Sequence, residues 1–325
     1  MQRRPLVMAT ALSALFPAAR AQSPAAPEIV LGHTGVLGGP LGVPVKTMLA
    51  GAELAFGEIN AQGGVAGRKI RVVSLDDELK PDKAVANYEK LLNEHKAFAF
   101  FGCVGSGTTA AAAKVLKESG APLVGGYAVA DSARDKTLGS AYYVRTTSGR
   151  EAEALVQHLN TIGISKIAVA HLDNPGGAEA LKLISAALAV RQQQPLAAAG
   201  VKGDASNAAA VAATLAASQP QAVIMYLGGA LGGELMKAMW ALNSHPAFYG
   251  MSIVPGEVIA KVVGPKARGL AISQIVPYPW NEVDTLTREY RRLAGAAKVP
   301  VGYYSFEGYM NALVLLDALK RSGRD

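Results

Sequence analysis

The feature that most constrains the fold of this chain is a regular alternation of short apolar runs with longer segments of helical periodicity. Strands that alternate with helices predict parallel sheets covered by helices on both faces. Ligands of such sheets bind beyond the carboxyl ends of the strands. The sequence therefore predicts an α/β fold, with strands expected in ten runs at 28–32, 69–75, 97–101, 121–125, 141–145, 166–171, 196–201, 221–227, 247–251 and 269–275.

The order of these elements divides the chain into two successive α/β sets. A Thr-Thr-Ser-Gly segment at 146–149 is the first plausible crossing between them, and a Pro-rich segment at 277–280 is the second. The last two helical segments are expected to return to the first set. We therefore expect a first lobe at 28–147, a second lobe at 148–276 and a return to the first lobe at 277–325.

The amino terminus has the pattern of an export signal. Arg3 and Arg4 precede an uncharged apolar stretch at 6–19, and small residues flank Arg20. This pattern predicts a signal peptide over residues 1–21, which is removed on export. The apolar stretch is shorter than the roughly 20 residues that span a bilayer, which argues against a membrane anchor.

Composition excludes several kinds of site. Cys103 is the only cysteine, so the chain has no intrachain disulfide and no cysteine-based metal site. The five histidines are dispersed, and the formal charge of +7 includes no basic run with interleaved aromatic residues. We therefore expect no cofactor, no metal and no nucleic-acid partner.

One segment has the pattern of an anion site. The apolar run at 97–101 is followed by Gly-Cys-Val-Gly-Ser-Gly-Thr-Thr at 102–109, and an Ala-rich helical stretch begins at Ala110. A strand that leads through such a turn into a helix presents unpaired backbone N–H groups and hydroxyls at the positive end of the helix dipole. This arrangement suits a carboxylate, although a plain βα turn has the same composition.

The same segment lacks the requirements of an enzyme. A phosphate-binding loop would need lysine where Thr108 stands. A nucleophile elbow around Ser106 would need glycine where Val104 stands. The sequence alone does not exclude a Ser-His-Asp catalytic triad that uses His171 and Asp173. We nevertheless expect a binding protein and not an enzyme.

With these elements placed, the chain resembles the type I periplasmic binding proteins of ABC importers, in the leucine/isoleucine/valine-binding family. The resemblance runs from about residue 28 to the end and rests on motifs in matching order: HTGVLGGPLG at 33–42, INAQGGVAGRKI at 59–70, LDDE at 75–78, FFGCVGSGTT at 100–109, GAPLVGG at 120–126, VPYPW at 276–280 and YYSFEGYMNALVLLDAL at 303–319.

The resemblance implies two α/β lobes joined at a hinge, which close on a small ligand in the periplasm. It also implies a monomer that delivers the ligand to the permease and ATPase subunits of an importer. The alternative is a receptor of the same fold that reports its ligand to a membrane kinase or chemoreceptor. Relatives cross the hinge a third time, so we expect the last hinge strand and tail to be missing here.

The resemblance also assigns lobe-one ligand contacts. The hydroxyl of Ser106 and the N–H groups of Gly107 and Thr108 match the loop that holds the ligand carboxylate. The second loop corresponds to Tyr127, Ala128 and Val129. Relatives that bind amino acids usually offer a threonine hydroxyl in this loop, so backbone groups are expected to replace it here.

In lobe two, the expected contacts are Asn174, Gly229 and Ser252, and Tyr278 follows the second crossing as an apolar wall. Relatives place an acidic residue where Ser252 stands, and it pairs with the ligand's ammonium. Because a buried ammonium needs a partner, we expect an acid without an α-amino group, including aromatic acids. A branched-chain amino acid is the alternative ligand.

Overall fold

The computed structural model describes residues 27–323, so the predicted signal peptide lies outside the described residues. Two five-stranded sheets follow each other along the chain, in the orders β2-β1-β3-β4-β5 and β10-β9-β8-β6-β7. All their pairings are parallel. The strands are β1 Ile29–Gly35, β2 Ile70–Asp76, β3 Ala99–Phe101, β4 Leu123–Val124, β5 Ala141–Tyr142, β6 Ile167–Leu172, β7 Ala198–Val201, β8 Ala222–Tyr226, β9 Ala247–Gly250 and β10 Ala271–Ile272.

Helices cover both sheets, which confirms the predicted α/β class. We call the first sheet with its helices lobe 1 and the second sheet with its helices lobe 2. Within the described residues the α-helices are α1 Gly39–Ala61, α2 Pro81–Asn93, α3 Ser106–Ala111, α4 Ala113–Ser119, α5 Asp131–Lys136, α6 Ser148–Thr161, α7 Pro175–Ala189, α8 Ala208–Ala217, α9 Leu231–Ala241, α10 Gly256–Val263, α11 Thr285–Ala297 and α12 Tyr303–Ser322.

Each sheet has an interior strand that is buried along its whole length. Every residue of β1 and every residue of β8 is buried, as expected of parallel strands covered on both faces. The last two helices, α11 and α12, pack against α1 of lobe 1. Four apolar clusters fill the space between sheets and helices, two in each lobe.

Three segments differ from the prediction. The run of glycines at 35–42 predicts a loop after the first strand, but this loop is short, because α1 already begins at Gly39 with a proline in its first turn, where proline is tolerated. The helix expected after residue 109 begins at Ser106 and is interrupted at Ala112, between α3 and α4. The short helix α5 has no counterpart in the apolar pattern.

His33 of β1 is fully buried beneath the carboxyl edge of the first sheet. Its Nδ1 lies 3.1 Å from the carbonyl oxygen of Phe101, and its Nε2 has no hydrogen-bond partner within residues 27–323. Burial lowers the pKa of His33 to about 4, although hydrogen bonds with backbone groups partly oppose this effect. The folded protein therefore holds a neutral imidazole.

This burial predicts a loss of stability in mild acid. The unfolded chain binds a proton at His33 below about pH 6.5, whereas the folded chain does so only near pH 4. The stabilisation is therefore complete above pH 6.5 and is lost as the pH falls towards 4. Between pH 7 and pH 5 we expect the free energy of unfolding to fall by about 2 kcal/mol from this group alone. Urea unfolding of the wild type and of His33→Gln at several pH values will measure this change. If the free energy of unfolding depends on pH equally in both proteins, the assignment to His33 is contradicted.

Candidate ligand cleft

The predicted anion segment lies at the carboxyl edge of the first sheet. After β3, a turn through Gly105 leads directly into α3, and Gly105 has a left-handed φ of 96°, which favours glycine. The backbone N–H groups of Ser106, Gly107 and Thr108 have no acceptor within the described part of the chain. Three adjacent donors are therefore available at one point of the cleft.

Hydrogen bonds join this segment to the second predicted loop. The hydroxyl of Ser106 accepts the N–H of Ala130 at 2.9 Å. The N–H of Gly105 donates to the carbonyl of Tyr127 at 3.1 Å, and the N–H of Tyr127 donates to the carbonyl of Cys103 at 2.9 Å. The two loops that the resemblance assigns to the ligand carboxylate therefore form one connected unit.

The remaining lobe-one positions have distinct surroundings. The hydroxyl of Thr108 is buried and donates to the carbonyls of Val104 and Gly105, so only its N–H is available. Ala128 has a left-handed φ of 52°, an uncommon conformation for a residue with a side chain. Val129 is buried beside it.

The lobe-two loops face these donors. Asn174 caps α7, because its side-chain oxygen accepts the N–H of Gly177 at 2.8 Å. A Cβ at Gly176 would lie 3.7 Å from Ser106 Oγ, and one at Gly228 would lie 3.2 Å from Leu41 of lobe 1. The small residues therefore let the two lobes approach closely. Gly229 follows at a left-handed φ of 58°.

A buried ion pair connects the segment that follows β5 to α12. Arg145 follows β5 at the first crossing and binds both carboxylate oxygens of Glu307, on α12, at 3.0 and 3.1 Å. Their side chains are 8% and 4% exposed. Burial alone would lower the pKa of Arg145, but the carboxylate of Glu307 raises it, so the guanidinium stays charged.

The same guanidinium reaches lobe 2 through Ser252. A third N–H of Arg145 donates to the hydroxyl of Ser252 at 3.0 Å. That hydroxyl donates to the carboxylate of Glu151 at 2.9 Å, and the N–H of Ser252 donates to the same carboxylate. The hydroxyl of Ser273 donates to it at 2.6 Å. Ser252 therefore belongs to a polar network that joins both lobes.

Tyrosines line the space around Arg145. Its guanidinium lies 5.2 Å from the ring centre of Tyr127. The hydroxyl of Tyr304, on α12, donates to the carbonyl of Ile253 at 3.3 Å. Tyr226 ends β8 and is 7% exposed. Burial raises the pKa of Tyr226 to about 12, so its hydroxyl stays protonated and able to donate.

Tyr278, the predicted apolar wall, packs against another aromatic side chain. Its side chain is 59% exposed, and its ring centre is 5.2 Å from that of Trp280. No sequence pattern identified above includes Arg145, Glu151, Tyr226 or Glu307 as a ligand contact. Arg145 is the last residue of the predicted run at 141–145 and precedes the first crossing, and this position is the signal that could have indicated it.

Two classes of feature are absent from the described residues. Between residues 27 and 323, no group of three or more His, Cys, Asp or Glu side chains could hold a metal ion. Within the same range, none of the helices combines the length and apolar character needed to cross a bilayer.

Comparisons with known proteins agree with this architecture. A family model described as periplasmic binding protein matches residues 28–325. The Leu/Ile/Val-binding protein homolog 7 of Brucella abortus is 31% identical over 137 residues, which cover 42% of this chain and 34% of that protein, about a third of its length.

Two solved structures extend the likeness to nearly the whole chain. A substrate-binding periplasmic protein from Ralstonia solanacearum has a TM-score of 0.85 and 26% identity, over 92% of this chain and 86% of that one. A solute-binding protein from R. palustris, solved in complex with benzoate, has a TM-score of 0.78 and 20% identity, over 92% and 82%. The chain belongs to the periplasmic binding protein family.

Proposed function

We propose that this protein is the extracytoplasmic solute-binding component of an ABC importer. It captures a small carboxylate ligand between its lobes and delivers it to a membrane permease that an ATPase drives. The observation that carries this proposal is the set of unpaired N–H groups at Ser106, Gly107 and Thr108, which lie beside a hydroxyl and face lobe 2.

Hydrogen bonds from these donors supply much of the free energy that binding requires. A hydrogen bond to a charged group contributes roughly 1.5–3 kcal/mol. Two or three such bonds supply a large part of the roughly 8 kcal/mol that corresponds to micromolar affinity. Binding to the closed form alone then shifts the lobes towards closure, because a ligand moves a conformational equilibrium only by its differential affinity.

The surroundings of Ser252 in lobe 2 favour a ligand without an α-amino group. The hydroxyl of Ser252 already donates to Glu151 and accepts from Arg145, and the Glu151 carboxylate already accepts three hydrogen bonds. A buried ammonium beside Ser252 would therefore compete with these three hydrogen bonds for the Glu151 carboxylate, and leaving it unpaired is costly. The benzoate complex of the R. palustris protein supports an aromatic acid as one candidate.

Calorimetric titration tests this ligand class. The expected result is micromolar binding of a benzoate or a 2-oxo acid, with leucine and valine binding at least tenfold more weakly. Tight binding of leucine or valine, with the other acids silent, would show that the protein is a branched-chain amino-acid binder.

Removal of one hydroxyl tests the donor loop. Ser106→Ala removes a group that could donate to the ligand and also leaves the N–H of Ala130 without its acceptor. We expect ligand affinity to fall about tenfold or more, which corresponds to the loss of one charge-assisted bond. Ser119→Ala, at the exposed end of α4, is the matched control. Equal affinities for both variants would place the carboxylate elsewhere.

A further inference from the structure

The short helix α5 connects the loop at 127–130 of lobe 1, which we call the ligand loop, to the first crossing. It begins directly after Ala130, whose N–H donates to Ser106. Arg134 of α5 donates to the carbonyl of Val129 at 3.0 Å and to the carbonyls of Arg145 and Thr146 at 2.9 Å each. The helix is therefore fixed both to the ligand loop and to the hinge.

The first residue of α5 also caps a helix of lobe 2. The carboxylate of Asp131 accepts the N–H groups of Ser148 and Gly149, at 2.9 and 3.0 Å. These groups begin α6, where a carboxylate compensates both the unpaired donors and the helix dipole. Because residue 148 directly follows the crossing, this contact can persist while the lobes rotate.

A second carboxylate, from lobe 2, reaches α5 across the cleft. Glu179 lies in α7, and its side chain accepts the N–H of Ser132 at 2.9 Å and also accepts the Ser132 hydroxyl. Unlike the Asp131 contact, this one joins residues 47 positions apart in the chain. Because residue 179 lies far from either crossing, the contact requires the two lobes to meet.

The contact between Glu179 and Ser132 acts on the ligand loop because Ser132 is close to Ala130 in the chain. Ser132 is two positions from Ala130, so a carboxylate that holds Ser132 also restrains the N–H that donates to Ser106. We propose that Glu179 is a positioning residue, which holds lobe 2 on α5 and thereby orders the loop that faces the ligand. The restraint on closure stands on these contacts alone, and only the ligand-facing role rests on the proposed function.

The distance between the lobes in ligand-free protein tests this proposal. Spin labels on Glu118→Cys in α4 and Gln157→Cys in α6 report it, since both positions are exposed and on different lobes. The native Cys103 is buried, and burial raises the pKa of its thiol to about 11, so it will not compete for label. Pulsed electron paramagnetic resonance then gives the distribution of distances between the labels, and from it the populations of closed and open forms.

We expect the doubly labelled protein to show a short-distance population that falls about tenfold relative to the open form in Glu179→Ala, since two charge-assisted hydrogen bonds are lost. Glu179→Gln keeps an acceptor for the Ser132 N–H and is expected to be intermediate. Glu153→Ala removes another glutamate of lobe 2, which is exposed on α6, and should leave the distribution unchanged.

A double variant separates a direct contact from a general loss of stability. If Glu179 acts through Ser132, Ser132→Ala will have no further effect in the Glu179→Ala background. Additive effects, or an unchanged distance distribution in Glu179→Ala, would overturn the proposal. No ligand is present in this experiment, so its outcome is independent of which acid the cleft binds.

Discussion

Glu307→Ala is expected to destabilise the protein by about 3 to 5 kcal/mol, because it leaves a buried guanidinium without its partner. Arg145 is enclosed by both lobes, and Glu307 supplies two of its three hydrogen bonds to side chains. Because the two side chains are only 8% and 4% exposed, bulk water has little access to the guanidinium in the folded protein. Urea unfolding, followed by circular dichroism, will measure the change in the free energy of unfolding.

An exposed ion pair provides the matched control. Glu282 pairs with Arg291 at 2.7 Å, but its side chain is 76% exposed, and pairs of this kind contribute about 0 to 1 kcal/mol. Glu282→Ala should therefore change stability by no more than that. Equal effects of the two substitutions would show that water reaches Arg145.

A double substitution distinguishes charge from packing at the same site. Replacing Arg145 by Met together with Glu307 by Leu removes both charges and keeps apolar volume. Buried pairs exchanged in this way often lose little or no stability. We expect the double variant to recover most of the loss seen in Glu307→Ala, which would show that the unpaired charge causes the damage.

Most of the fold could be predicted because parallel strands that are buried on both faces are continuous apolar runs. Each of the ten predicted runs overlaps a strand, including the two-residue strands β4, β5 and β10. The helix α5 could not be predicted in this way. Its sequence, DSARDK, has no apolar periodicity, and several of its contacts are hydrogen bonds with distant loops and with lobe 2.

The candidate site also has one part that the local sequence predicts and another part that it does not. The donors around Ser106 follow from a local pattern of strand, turn and helix. By contrast, Arg145 lies 162 positions from Glu307 and 107 from Ser252, and Glu151 lies 101 from Ser252. Pairs this distant depend on how the crossings bring two sheets together, which no local pattern encodes.

The largest effect expected outside the hinge concerns the crossing of α1 and α12, where two backbones touch through glycines. A Cβ at Gly51 would lie 1.8 Å from the carbonyl oxygen of Ser305, and one at Gly308 would lie 1.8 Å from that of Met48. Neither helix can yield without moving the core of lobe 1. We expect Gly51→Ala to lower the free energy of unfolding by about 3 kcal/mol, at the upper end for overpacking.

Gly57 offers the control within the same helix. It is exposed, and a Cβ there would meet no heavy atom within 4 Å. Alanine is the better helix former by roughly 1 kcal/mol, so Gly57→Ala should stabilise the protein while Gly51→Ala destabilises it. Opposite signs in urea unfolding would show that contact between the helices, and not helix propensity, requires glycine at position 51. A neutral Gly51→Ala would show that α12 can move away from α1 at little cost.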